Sequence, residues 1–444
     1  MRKIKTALPV IFLLFLLPVS AHATKLYQGT LKNGLTYRIY RSSTLPIISV
    51  DIKIKAGSYF DKKFGEANVV AKSIESCDTA RLSAEDFRDM VDALGGVISS
   101  SASKQYIDIK AKFPLSKADR MFCLLSEMFK SRLDKKNFDF VKKHQIDRIK
   151  ALKNDKDYLA VHAAFVNLIK QKSYSHTSLG TINGIKSLTR KDAKTFLHRH
   201  FNTSNMVISV AGGKFNPADI AAMIKEHFSF LKPGKSYTYE PVIFNPGLHV
   251  TDILKNVEQS YIYFAFPAFK LSDKRHYAAQ IIAFILGGGL DSVLMKDIRT
   301  KHGYAYSVFA VNYQLKQGGI FIIGMQTQNK FTLEAINRVF DDIDKIQNFL
   351  TPEKLRDAKR YLTGSNEIGL QNSLSVADAL ADGYLNNVKG LPWEHYKRMI
   401  NAVTLKELKE TAKAIFNKKT LSIGIVSLED HKNVVINLAK EYGY

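Results

Sequence analysis

Arg299 and Tyr306 stand seven positions apart in the run Ile298-Arg299-Thr300-Lys301-His302-Gly303-Tyr304-Ala305-Tyr306-Ser307. A guanidinium is a permanent donor to peptide carbonyls, and a phenol can donate to the oxyanion of a tetrahedral intermediate. Spacing alone favours the plainer reading, an arginine at a helix end, well placed for the helix dipole, and a tyrosine packed in a strand. Tyr304 is a rival phenol. The histidines form no ligand set. His198 and His200 flank Arg199 at i and i+2, which sends them to different sides of a helix and reads as a solvated basic helix end. His144, His162 and His176 fall on separate elements, and Glu394-His395 beside Trp393 reads as a surface helix. Gly287-Gly288-Gly289 lacks the Lys-Ser/Thr of a phosphate-binding loop and reads as a tight helix-to-loop turn.

The elements that must position these residues come in two copies. Thr189 and Asp192 open a helix that runs to Phe201-Asn202 and precedes the apolar run Met206 to Val210; Thr404 and Glu407 open one that runs to Phe416-Asn417 and precedes Leu421 to Ile425. Thr189/Thr404, Phe201/Phe416 and Asn202/Asn417 all differ by 215 positions. Each threonine is a candidate N-cap with an acid three residues on, close to a capping box. The alternating run Tyr106 to Ala111 leads into a helix near Ser116, and Ile320 to Gly324 leads into a helix from Thr332 to Ile346. The expected fold is α+β: two homologous α/β-sandwich domains in a clam-shell arrangement, joined by a polar, turn-rich linker over residues 232–247. The domains are expected over 24–231 and 248–444.

The first 23 residues combine Arg2, Lys3 and Lys5 with a short apolar stretch and Ala21-His22-Ala23, the pattern of a cleaved secretory signal. The residue after Ala23 is Thr24 and not Cys, so a lipoprotein is not expected. The periplasm of a Gram-negative bacterium is the expected compartment, with no stable membrane insertion after cleavage. The chain carries 65 Lys and Arg against 41 Asp and Glu, a formal charge of +24. The lysines are scattered along the whole chain with no basic block, which reads as compositional bias rather than as the mark of an anionic partner, and no nucleic-acid partner is expected. Composition, 45% hydrophobic and 24% charged, excludes disorder and a disulfide-dense scaffold. The two cysteines, Cys77 and Cys123, are open to either one bridge or two buried thiols.

In order and spacing, Leu31-Lys32-Asn33-Gly34-Leu35, Ala56-Gly57-Ser58, Gly65-Glu66-Ala67-Asn68, Ser83 to Phe87, Ala93-Leu94-Gly95-Gly96, Ser178-Leu179-Gly180-Thr181 and Asn205-Met206 resemble the pitrilysin/insulinase family of zinc metallopeptidases. The likeness spans nearly all of residues 24–444. Active members carry H-x-x-E-H on the helix that here follows Gly65. Two His at i and i+4 share a helical face and hold zinc, the intervening Glu polarises the bound water, and a distal Glu completes the set. Those positions fall on Asn68, Ala71 and Lys72, with the distal one at or beside Ile149. Neither H-x-x-E-H nor H-E-x-x-H occurs in the chain, and no His lies between His22 and His144. Arg299 and Tyr306 match the family's substrate-binding pair.

The resemblance therefore implies a non-catalytic, substrate-binding subunit of a heterodimeric zinc peptidase acting on unfolded peptides. No cofactor of its own is expected; the zinc is expected in a homologous partner subunit. The alternatives are a structural or assembly protein of the same fold, as in the zinc-less core subunits of respiratory complexes, and a basic protein that binds an anionic envelope component. A stand-alone zinc peptidase comes last.

Overall fold

The computed structural model describes residues 26–43 and 45–444. The expected signal lies outside them. Six strands, β1 (Leu26–Thr30), β2 (Thr36–Ser43), β3 (Ile47–Ile54), β4 (Val97–Ala102), β5 (Ile107–Pro114) and β6 (Met206–Gly213), form one sheet in the order β1-β2-β6-β3-β5-β4. Five more, β7 (Gly247–Leu254), β8 (Gln259–Ala268), β9 (Ala305–Leu315), β10 (Gly318–Gln328) and β11 (Thr420–Ser427), form a second in the order β7-β11-β8-β10-β9. Without β1 the two orders coincide. In each sheet the pair β2/β6 or β7/β11 is parallel and the other pairs are antiparallel.

Both capping boxes form. Thr189 N–H donates to Asp192 at 2.8 Å and Asp192 N–H to Thr189 Oγ1 at 3.2 Å; Thr404 and Glu407 repeat the pattern at 2.8 and 3.2 Å. The helices they open, Arg190–His200 and Leu405–Ile415, feed β6 and β11, which hold equivalent places in their sheets. Each sheet is covered on one face by helices of its own half, over a core of aliphatic and phenylalanine side chains.

The other face of each sheet is covered from the opposite half. The Lys156–Leu168 helix lies on β7, β8 and β11, and Ser373–Leu385 lies on β2, β3 and β6. Small residues permit this close approach: Ala160, Ala164 and Leu168 pack with Tyr263, Ala265, Ile322 and Val426, while Val376, Ala377 and Leu380 pack on Ala211. A Cβ on Gly424 would sit 2.0 Å from Ala160 O. An ion network centred on the buried Lys53 also joins the halves. Lys53 Nζ, on β3, meets Asp108 at 3.1 Å and, on the incoming helix, Asp378 at 2.9 Å and Asp382 at 2.7 Å. Burial opposes the Lys53 charge, but Asp382, Asp108, Asp51 and Asp378 outweigh it and hold the ammonium above its ordinary value.

The stretch 232–247 is largely without helix or strand yet is tied down along its length, unlike a loose linker. Tyr239 is buried and its hydroxyl donates to Gln105 O at 2.5 Å; Tyr174 donates to Glu240 O at 2.6 Å, and Asn245 N–H to Leu168 O at 2.9 Å. Cys77 and Cys123 are both free thiols. Burial, with Asp134 beside it, pushes the Cys77 thiol up to about 12, so it behaves as an inert core residue.

Candidate functional site

The helix that carries the degenerate metal positions, Glu66–Ser76, is started by Asp61. Its carboxylate accepts from Gly65 N–H at 2.6 Å and Ala67 N–H at 2.8 Å. Burial pushes the Asp61 carboxyl up to about 7 against the pull of those two bonds. Asn68 and Ala71 are buried and Lys72 is half-buried. Ile149, on the Lys135–Leu152 helix, packs against the core of the first half. Its helix lies against the Glu66–Ser76 helix.

These residues offer an amide, a methyl, an ammonium and an aliphatic chain, which do not fit zinc. Lys72 is moreover engaged: its Nζ donates to Glu75 Oε2 at 3.0 Å, and the same oxygen accepts from Ser100 N–H at 2.7 Å on β4. Glu75 was not singled out in the sequence. Its i+3 spacing from Lys72 was the available signal.

The second face is built at the far end of the other sheet. Helix Arg275–Gly287 presses its last residue onto β9, where a Cβ on Gly287 would sit 2.2 Å from Ala310 N. After it comes a π-helical turn, Met295–Lys301, which carries Arg299 exposed to solvent. Asp297 anchors the turn by accepting from Arg338 Nε at 2.6 Å. In the pairing of β9 with β10, Gln326 faces Ser307 and Thr327 faces Ala305, so Tyr306 is the extra residue of a bulge. Bulges re-aim side chains; Tyr306 is 76% exposed, and the Arg299 guanidinium carbon lies 5.2 Å from its ring centroid. Tyr304 is instead half-buried, its ring 5.3 Å from that of His302 and 5.0 Å from that of Phe331. Tyr306 is therefore the accessible phenol of the two.

β4 and β9 occupy the same terminal position in their sheets, so each leaves one backbone edge unpaired. An unpaired edge offers alternating N–H and C=O groups to an extended chain. On β4 one such donor, Ser100 N–H, is taken by Glu75.

The histidines separate differently from the expectation. His198 is exposed, but His200 is fully buried, against the rings of Phe60, Phe196 and Tyr237 at 4.9, 4.6 and 4.4 Å, with Nδ1 3.2 Å from Lys55 O. Burial, then Arg199, lowers it to about 3, so it is a neutral core residue rather than part of a solvated end. His162 and His176 share one cavity of about 190 Å³ with Lys104 and Tyr174. His144 stands apart from them, exposed beside the Phe140 ring at 4.7 Å.

Residues 187–362 match the family described as "Peptidase M16 inactive domain". A Helicobacter pylori protein named "Non-peptidase homolog YmxG" is 26% identical over 90% of this chain and 96% of its own length. An "Uncharacterized zinc protease" of Rickettsia felis is 23% identical over 88% of this chain and 95% of its own length. The crystal structure of a peptidase M16 inactive domain from Pseudomonas fluorescens superposes with a TM-score of 0.83 at 20% identity, covering 91% of this chain and 98% of that one. A chain of Complex III2 from Candida albicans superposes with a TM-score of 0.78 at 17% identity, covering 93% and 99%. With the duplicated fold and metal positions that lack zinc ligands, these likenesses fit an inactive member of the pitrilysin/insulinase (M16) peptidase family.

Proposed function

We propose that the chain is the substrate-holding subunit of a two-chain peptidase whose homologous partner carries the zinc, and that it works on unfolded peptides in the periplasm. The observation that carries this reading is the contrast between the two faces: the metal positions are filled by Asn68, Ala71 and an engaged Lys72, while Arg299 and Tyr306 stand exposed at the bulged start of a free edge strand. An extended peptide would add its backbone along β9. Arg299 would donate to a peptide carbonyl, and Tyr306 would donate to the oxygen that gains charge as the partner's site attacks. This chain contributes orientation and two donors, and the hydrolytic chemistry stays with the partner.

The test is reconstitution. The chain is mixed with a zinc-bearing homologue, assembly is verified, and cleavage of an unstructured peptide is followed with each chain alone and with both. Activity restricted to the mixture, and weakened by Arg299→Ala, supports the reading. If the partner alone cleaves as fast as the mixture, or if Arg299→Ala and Tyr306→Phe are both silent, the chain is a structural subunit.

A further inference from the structure

The excess positive charge is not spread evenly. Residues 130–199 hold 17 Lys and Arg against 6 Asp and Glu, close to half of the chain's +24 in under a sixth of its length. Two helices whose starts are joined by hydrogen bonds carry much of it. On Lys135–Leu152 the exposed residues Lys136, Phe140, Lys143, His144 and Arg148 follow one another at helical spacing, and on Arg190–His200 Lys191, Lys194 and His198 do the same. The two segments are tied together near the helix starts: Arg190 Nε donates to Leu133 O at 2.5 Å, and Lys142 Nζ to Leu188 O at 2.6 Å.

The acids nearby are already used. Asp134 caps its helix through Asn137 N–H at 2.9 Å, Asp139 pairs with Lys135 at 2.9 Å, Asp147 with Lys150 at 3.2 Å and Asp192 with Lys63 at 2.7 Å. Lys136, Lys143, Arg148, Lys186, Lys191 and Lys194 make no ion pair among the described residues. In their midst Phe140 is 58% exposed, an apolar ring with no core to join.

We infer that this face docks the protein on an anionic phospholipid surface. Several exposed, unpaired cations can meet many headgroups at once without selecting any. A solitary aromatic ring among them suits the boundary between headgroups and acyl chains. A soluble polyanion would account for the cations but leaves Phe140 unexplained. No described helix is long and apolar enough to cross a membrane, so the contact is peripheral. The inference is independent of any peptidase partner, because the chain alone tests it.

The experiment is sedimentation of residues 24–444 with vesicles of phosphatidylcholine alone or with about one third phosphatidylglycerol. Affinity should be at least about tenfold higher for the anionic vesicles and should fall about tenfold between low and high salt. Lys191→Glu/Lys194→Glu should weaken binding about tenfold or more, while the equal charge change Lys406→Glu/Lys413→Glu on the other half should not. Phe140→Ser should weaken binding with its salt dependence kept. Thermal unfolding checks that each variant is folded. Equal binding to both vesicle types, equal effects of the two charge pairs, or silence of Phe140→Ser with full competition by heparin would each overturn the inference.

Discussion

Arg299 and Tyr306 face each other across the junction of a π-helical turn and a β-bulge, with 5.2 Å between the guanidinium carbon and the ring centroid. Each irregularity releases one side chain from the ordered ladder, and together they bring the pair into contact at the surface. A cation over an aromatic face is a weak attraction in water. Its value here is orientation, because it restrains two long side chains before any ligand arrives.

Tyr306→Phe should reduce kcat of the reconstituted peptidase about 10²–10³-fold with KM little changed, since an oxyanion donor acts mainly in the transition state. Arg299→Ala should raise KM as well. Steady-state kinetics on one unstructured peptide separates the two, and equal losses in KM alone for both variants would contradict the assignment.

The purified chain should hold well under one zinc per molecule after mild dialysis, measured by elemental analysis. Lys72→His should not create a site, because Ala71 supplies no carboxylate and Ile149 no ligand. One tightly held zinc per chain, lost on substituting particular histidines, would refute the reading of this face.

His200 predicts an acid-labile core. Its folded value is lowered to about 3 while the unfolded chain titrates near 6.5, so the unfolded state binds more protons between those limits. The contribution of His200 is complete above pH 6.5 and is lost as pH falls towards 3, by about 1.4 kcal/mol per pH unit within the window. Denaturant midpoints measured across that range should flatten in His200→Phe, which keeps the ring contacts but cannot take a proton. An unchanged slope would mean that His200 is not buried neutral.

The exchanged helices predict one cooperative unit. Gly424→Ala places a Cβ 2.0 Å from Ala160 O and 2.8 Å from Ala164 N, an overpacking worth about 1–3 kcal/mol. Although the change lies in β11 of the second half, probes in both halves should lose stability together. Two separated unfolding transitions would show that the halves are independent.

Lys53→Met removes the cation shared by Asp108, Asp378 and Asp382. Asp378 and Asp382 are 34% and 46% exposed at their side chains, so solvent screens part of the loss and the cost stays below the roughly 3–5 kcal/mol of breaking a fully buried pair. The variant should unfold below the parent, with partial recovery in Lys53→Met/Asp378→Asn. Equal thermal stability of parent and Lys53→Met would show the network to be neutral.

What could be read from the sequence was local. Thr189 with Asp192 and Thr404 with Glu407 declare themselves because a cap satisfies its bonds within four residues, and the alternation at Tyr106 to Ala111 follows from the pleat of one strand. What could not be read depends on partners distant in the chain. Ala160 and Ala164 give their helix a small-residue face without naming the sheet it covers. The bulge at Tyr306 exists only in the register with Thr327 and Gln326. His200 looks solvated beside Arg199 until Phe60 and Tyr237 arrive from elsewhere to enclose it. The stretch 232–247 has the composition of a linker, but its anchors at Gln105, Leu168 and Tyr174 belong to other segments.

The exchange of helices also sets an order of events during synthesis. By the time Leu231 has been made, every strand of the first sheet exists, yet the Ser373–Leu385 helix that covers β2, β3 and β6 does not. At about 5–20 residues per second the delay is roughly 8–30 s. Throughout it Val207 and Ala211 present an apolar surface to whatever is near. A nascent chain in this state is a natural client for holding chaperones, and any truncation before Leu385 leaves that exposure permanent.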